Sequence, residues 1–173
     1  TQQDRIIIIS PGAKSQIKRW AKERFLTLID SLIEELKVNP VTASSNGIKV
    51  ILVGDKNDIP INKYIMENIQ HSLTDLTAKT SITQLACLLK KSKLLITNDS
   101  AVLHLASYLD VPVLAIFGPT NEVKYGPWSE ISCVVKKDIF CRPCEKAQCK
   151  YGTLECMRLV KVEDVLTAVR KLF

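Results

Sequence analysis

Four short apolar runs, each stopped by turn or helix-capping residues, constrain this chain more than any other feature: 5–9 (RIIII), 48–53 (IKVILV), 93–97 (KLLIT) and 111–117 (VPVLAIF). A strand with one wet face alternates apolar and polar side chains, whereas a run apolar at nearly every position is buried on both faces. That is the condition of a strand in a parallel sheet with helices on both sides. Between the runs the period changes. Behind Trp20, residues Phe25, Leu28, Ile29, Leu32, Ile33 and Leu36 recur at steps of three and four, with Lys22, Glu23, Asp30, Glu34 and Glu35 in the gaps. This spacing predicts an amphipathic helix.

The rest of the chain continues the alternation. Residues 61–69 have helical character and 73–76 read as a short strand. Ser81-x-x-Gln84 is a capping box ahead of a helix carrying Ile82, Leu85, Leu88 and Leu89. Asn98, Asp99 and Ser100 supply cap residues for a helix through Leu109, 131–135 is a last strand, and 162–173 a closing helix. Strand and helix in turn predict an α/β fold, a Rossmann-like doubly wound parallel sheet. Residues 38–46, with a proline and a serine pair, read as a mobile surface loop longer than such units usually need. The first strand begins almost at Thr1, as in a domain excised from a longer chain.

At 173 residues, 46% hydrophobic and 24% charged, the composition is that of one globular domain. No apolar run approaches the roughly 20 residues of a membrane span, and no basic-then-apolar leader opens the chain. The net charge of +6 is concentrated in residues 1–24 and 136–158. A basic surface suits nucleic acid, an anionic membrane face or a phosphorylated small molecule. Aromatics are 6% and do not interleave with the basic residues, which argues against nucleic acid.

Ligands of doubly wound sheets bind beyond the carboxyl ends of the strands. That rule selects the loops 10–18, 54–58 and 98–104, with 117–125 on the same edge. In the first, Lys14, Lys18 and Arg19 stand just before or inside the first helical turn, forming either a phosphate site or a solvated basic turn. Neither a P-loop nor a G-x-G-x-x-G is present. In the third, Asp99 is an N-cap or a ligand-binding group. His104, one turn into the helix on the side of Ser100, is a partner for a carbonyl or for a ligand. Asp58 is a turn aspartate or an acceptor for a ribose. No D-x-D occurs that would tether a divalent metal. Cys141-x2-Cys144-x4-Cys149-x6-Cys156 leaves three readings open: structural zinc, one or two disulfides, or free packed thiols.

Three blocks, SPGAKSQIKRW, then 76–128 with NDSAVLHLA and FGPT, then CRPCEKAQCKYGTLECMRLVKVEDVL, resemble in order the C-terminal half of the lipopolysaccharide heptosyltransferases, glycosyltransferase family 9. The resemblance implies a GT-B enzyme, in which two Rossmann-like domains face a cleft. Residues 1–173 would be the single nucleotide-sugar-binding domain, with 136–160 as its cysteine-rich loop and the N-terminal acceptor domain absent. It implies that Ala13, Lys14 and Lys18 meet the donor phosphates and that Asp58 meets the ribose. Asp99, Ser100, Ala101 and His104 would surround the diphosphate and sugar, with Thr120 beside them. The family usually has glycine at position 101, so the alanine adds a methyl next to the donor.

The implied reaction is an inverting, metal-independent transfer of heptose from ADP-heptose to a lipid A–Kdo or inner-core acceptor, with no cofactor. The family's base is an aspartate of the N-terminal domain with no counterpart here, so the chain is expected to bind without turning over. A cytoplasmic location is expected, with peripheral contact at the inner membrane face through Lys136, Lys137, Arg142, Lys146 and Lys150. The competing expectation is a stand-alone nucleotide-binding or interaction module without catalysis.

Overall fold

The computed structural model describes residues 6–37 and 48–172. The loop expected at 38–46, the first residues of the chain and Phe173 lie outside them. Six strands form one sheet: β1 (Ile6–Ser10), β2 (Lys49–Leu52), β3 (Thr74–Asp75), β4 (Leu94–Asn98), β5 (Val113–Ile116) and β6 (Cys133–Val135). Their spatial order is β3-β2-β1-β4-β5-β6 and every neighbouring pair is parallel. The chain builds outward from β1 through β2 to β3, returns to the other side of β1 as β4, and builds outward again. The loops after β1 and β4 therefore part at the centre of the sheet and leave a crevice there.

The unbroken apolar runs have the physical cause expected of them. Ile7 and Ile9 of β1 face one core with Phe25, Leu28, Ile29 and Leu32 of α1 (Lys22–Lys37). Ile8 faces the opposite core, shared with Leu89 of α3 (Ile82–Lys91) and Leu103 and Ala106 of α4 (Ala101–Tyr108). All three isoleucines are fully buried, each worth roughly 1.5–3 kcal/mol of transfer free energy. The first layer is completed by α2 (Ile59–Asn68) and α7 (Val162–Leu172). The capping box is made in both directions, Gln84 N–H to Ser81 Oγ at 3.2 Å and Ser81 N–H to Gln84 Oε1 at 2.8 Å.

Some local expectations are corrected. The basic residues of the first loop stand just before α1, one of the two placements the sequence allowed, but a separate 3-10 turn not anticipated there spans Gln16–Lys18, and the helix starts at Lys22. Trp20 enforces the break. Its backbone N–H donates to Asn98 Oδ1 at 3.1 Å and its indole N–H to the Val160 carbonyl at 2.9 Å, which holds the residue between the two elements. Two four-residue helices, α5 (Glu122–Tyr125) and α6 (Glu155–Arg158), were not anticipated, being too short to display a period.

Candidate functional site

At the crevice the loops after β1, β4 and β5 meet on one carboxylate. Lys18 Nζ lies 2.7 Å from Asp99 Oδ2, and Thr120 Oγ1 donates to the same oxygen at 2.6 Å. Asp99 and Thr120 are buried, while the Lys18 side chain keeps 29% of its surface. The ammonium is thus oriented by a buried anion yet open to a ligand from solvent. Asp99 does not cap α4. The N-cap position belongs to Ser100, which makes no side-chain cap bond, and its hydroxyl lies 3.0 Å from Thr97 Oγ1. Ala101, the first residue of α4, is exposed at the same place.

Asn98 ties the crevice together from beneath. Fully buried, it accepts from Trp20 N–H and donates from Nδ2 to the Pro11 carbonyl at 2.7 Å. Sequence reading took it only for a cap residue, because both partners lie far away along the chain. Ala13 is buried, and its carbonyl accepts from Arg19 Nε at 2.7 Å. Lys14 is exposed on the same loop.

Asp58 turns inward. Its carboxylate accepts from Asp55 N–H at 3.0 Å and sits 3.6 Å from Arg19 Nη2, packed against Gly12 and Gly54. Burial raises its pKa above the usual carboxylate value, Asp55 N–H opposes the rise, Asp55 charge adds to it and Arg19 lowers it. In this conformation the group braces the first loop against the second. His104 is half-buried in α4, its ring centroid 6.4 Å from that of the largely exposed Trp128.

The basic segment 136–158 is only partly a free surface. The Arg142 side chain, 3% exposed, donates to the carbonyls of Gly118 and, at 3.0 Å, Thr120, and pairs with Glu122 at 2.9 Å. Lys136 pairs with Glu122 at 2.7 Å and Asp138 at 2.8 Å, and Lys137 with Asp164 at 2.8 Å. Three of the five residues expected to face a membrane are therefore engaged with their own fold, which leaves Lys146 and Lys150 exposed. Arg142, legible in the sequence only as surplus charge, shapes the turn that presents Thr120. Among the described residues no helix is long and apolar enough to cross a membrane.

All six cysteines are free thiols, so the disulfide reading of the cysteine-rich loop does not hold in this structure. Cys141, Cys144, Cys149 and Cys156 all line one cavity of about 830 Å³, which adjoins the crevice through Ile17 and Pro119 but does not include Lys18 or Asp99. Backbone N–H groups of Leu154, Tyr151, Gly152 and Thr153 hold the Cys149 thiol below its ordinary value against some burial. Burial first, then the neighbouring Cys141, Cys144 and Cys149, push Cys156 up.

A β3-β2-β1-β4-β5-β6 parallel sheet with a lysine paired to a buried aspartate at its crevice defines a Rossmann-like domain. The sequence model of Glycosyltransferase family 9 (heptosyltransferase) matches residues 1–155, and the chain belongs to that family. It is 28% identical over 172 residues to lipooligosaccharide heptosyltransferase 2 of Campylobacter jejuni, covering 97% of this chain and 51% of that protein. The chain thus spans about half the length of the curated relatives it matches.

Among solved structures, the E. coli ADP-heptose LPS heptosyltransferase II superposes with a TM-score of 0.79 at 22% identity, over 99% of this chain and 47% of that one. An E. coli heptosyltransferase solved with ADP gives 0.73 at 18%, over 100% and 46%. The chain has the Rossmann-like fold of half of a GT-B heptosyltransferase.

Proposed function

We propose that this chain is the donor-binding domain of an inverting heptosyltransferase that moves heptose from ADP-heptose to a lipid A–Kdo or inner-core acceptor. The observation that carries the reading is the meeting of Lys18, Asp99 and Thr120 from three separate loops at the crevice of the sheet. The C. jejuni and E. coli relatives support the choice of heptose and of a lipooligosaccharide or lipopolysaccharide acceptor. The solved complex with ADP supports the nucleotide.

In this reading Lys18, pre-aimed by Asp99, lies against the donor diphosphate. The first N–H groups of α4 at Ser100 and Ala101 face the same charge, with Ala13 and Lys14 on the neighbouring loop. His104 lies beside the sugar, and Thr120 fixes Asp99 from the other side. As the acceptor oxygen bonds to the anomeric carbon, the bond to the diphosphate breaks. The charge gathering on the leaving ADP is met by Lys18 and the helix start instead of by a tethered metal, in keeping with a sequence that has no D-x-D. The acceptor proton goes to a base from outside this chain. Asp58 acts on the ribose only if it leaves its inward position; otherwise its part is to hold the loop that carries Lys18. The enzyme works in the cytoplasm, and Lys146 and Lys150 are the basic residues left to meet an anionic membrane that holds the acceptor.

Calorimetric titration tests the reading. ADP and ADP-heptose are expected to bind the chain, and Lys18→Ala and Asp99→Ala to weaken both by at least roughly tenfold, the loss of one charge-assisted contact. Absence of binding at millimolar ligand, or unchanged binding by both variants, defeats the donor-site assignment.

A further inference from the structure

We infer that Phe140, Tyr151, Lys146 and Lys150 form a docking surface for an anionic lipid bilayer, the two rings entering the headgroup layer and the two ammonium groups meeting lipid phosphates. The inference deepens the reading above, on which it rests only for an acceptor held in a membrane.

A single exposed ring needs no explanation. Here Phe140 is 80% exposed and Tyr151 50%, and they stand edge to face with centroids 5.2 Å apart. Neither is carried there by loose chain. Phe140 follows Ile139, which packs against the core shared by α1 and α7, and the turn closes with Arg142 N–H donating to the Ile139 carbonyl at 3.0 Å. Tyr151 sits in a second turn, closed by Gly152 N–H on the Cys149 carbonyl at 3.1 Å. Two pinned turns thus hold two aromatic side chains in water, where they add nothing to the core. Aromatic rings of this kind collect at the boundary between lipid headgroups and acyl chains.

Charge separates a bilayer from other occupants. Lys136, Lys137 and Arg142 are held by Glu122, Asp138 and Asp164. Lys146 and Lys150 are exposed and make no ion pair among the described residues, Lys150 Nζ lying 5.7 Å from the centroid of the Tyr151 ring. Of the acidic residues in the segment, Asp138 faces Lys136 and Glu145 lies 3.8 Å from Lys124, which leaves Glu155. Apolar insertion beside a basic patch is the pair of signals that attaches a protein to anionic lipid. A second copy of this chain, docked about a two-fold axis, would set lysine against lysine.

The surface also lies where an acceptor is needed. Cys144 N–H and Glu145 N–H both donate to the Pro119 carbonyl at 3.0 Å, so the segment stands at the crevice edge of the sheet. Lys146, Lys150 and Tyr151 line the cavity of about 830 Å³ together with Ile17 and Pro119, the chain neighbours of Lys18 and Thr120. A bilayer met here brings its headgroups to the edge that carries the donor loops.

Vesicles of equal parts phosphatidylglycerol and phosphatidylcholine, and of phosphatidylcholine alone, are pelleted with the chain. Binding to the mixed vesicles is expected, weaker on phosphatidylcholine alone and falling as salt is added. Lys146→Gln with Lys150→Gln should weaken it by roughly fivefold per lysine. Phe140→Ser with Tyr151→Ser should weaken it by at least roughly tenfold and leave the salt dependence in place. Both pairs should keep the ADP affinity of the unsubstituted chain in calorimetry; ADP binding that fails throughout defeats the donor reading and not this one. The docking surface is overturned if the unsubstituted chain binds neither kind of vesicle or both equally, or if both substituted pairs bind as it does. Self-association driven by the two rings in ultracentrifugation, without vesicle binding, overturns it in favour of a second copy. The comparison of the two vesicle types with the unsubstituted chain decides the matter if a variant fails to fold by circular dichroism.

Discussion

Gly12 and Asp58 occupy space that only the pair as they stand can share. A Cβ added at Gly12 falls 2.0 Å from Asp58 Oδ1, so the glycine is required by close approach of a side chain and not by a special backbone angle. Gly12→Ala is expected to cost more than the ~1–3 kcal/mol of ordinary overpacking. Asp58→Ala in the same chain should recover part of the loss. Denaturant melts of the four combinations form a double-mutant cycle, and strict additivity contradicts the contact.

Asn98 gives a second residue-scale prediction. Asn98→Leu leaves the Trp20 N–H and the Pro11 carbonyl buried without their partner. At ~1–3 kcal/mol for each of the two orphaned groups, a loss of about 2–6 kcal/mol is expected in the same melts; a loss below about 1 kcal/mol contradicts the role given to it. Neither contact was legible in the sequence. The identities of Lys18, Asp99 and Thr120 stood out by motif, but their meeting on one oxygen depends on which strands are neighbours.

Among the elements, α5 carries a pH-sensitive clasp. Burial opposes ionisation of Glu122, yet Lys136, its own backbone N–H and Arg142 outweigh it and lower the carboxyl from 4.5 to about 2. A carboxyl lowered on folding stabilises the fold above its unfolded value, and that contribution is lost as pH falls from 4.5 through about 2. Asp164, lowered by Lys137 and the Lys161 N–H against burial, contributes with the same sign. Thermal melts across this window should show Glu122→Gln less stable than the parent at neutral pH and flatter toward acid. A parallel profile rules the clasp out.

At the far side of the sheet, Ser81→Ala removes the oxygen that caps α3 and should cost ~0.5–2 kcal/mol in a denaturant melt. Unchanged stability would mean the box adds nothing. Elements of this kind were readable because their cause is local: a capping box lies within four residues, and a strand buried on both faces shows as an unbroken apolar run. The separate 3-10 turn at Gln16–Lys18 was not readable, since the break after it follows from Trp20 bonding Asn98 and Val160, and α5 and α6 are shorter than the helical period needs to appear.

Over the whole molecule, the order of the six strands turns separate motifs into a site. By placing β4 beside β1, the fold brings the loop of Lys18 to that of Asp99; by placing β5 beside β4, it adds Thr120. The doubly wound class and the sheet edge that carries the candidate loops were legible from period and punctuation. The inward turn of Asp58 and the engagement of Lys136, Lys137 and Arg142 were not, because charge in a sequence carries no direction. The cavity among the cysteines is a second candidate for ligands on the same molecule, and it allows a direct comparison. In an amide NMR titration with ADP, the donor-site account predicts the largest shifts at Gly12, Lys18, Asp99, Ser100, Ala101 and Thr120, needing roughly tenfold or more additional ADP in Lys18→Ala. Shifts gathered instead around Cys141, Cys149 and Cys156, or none at millimolar ADP, would contradict it.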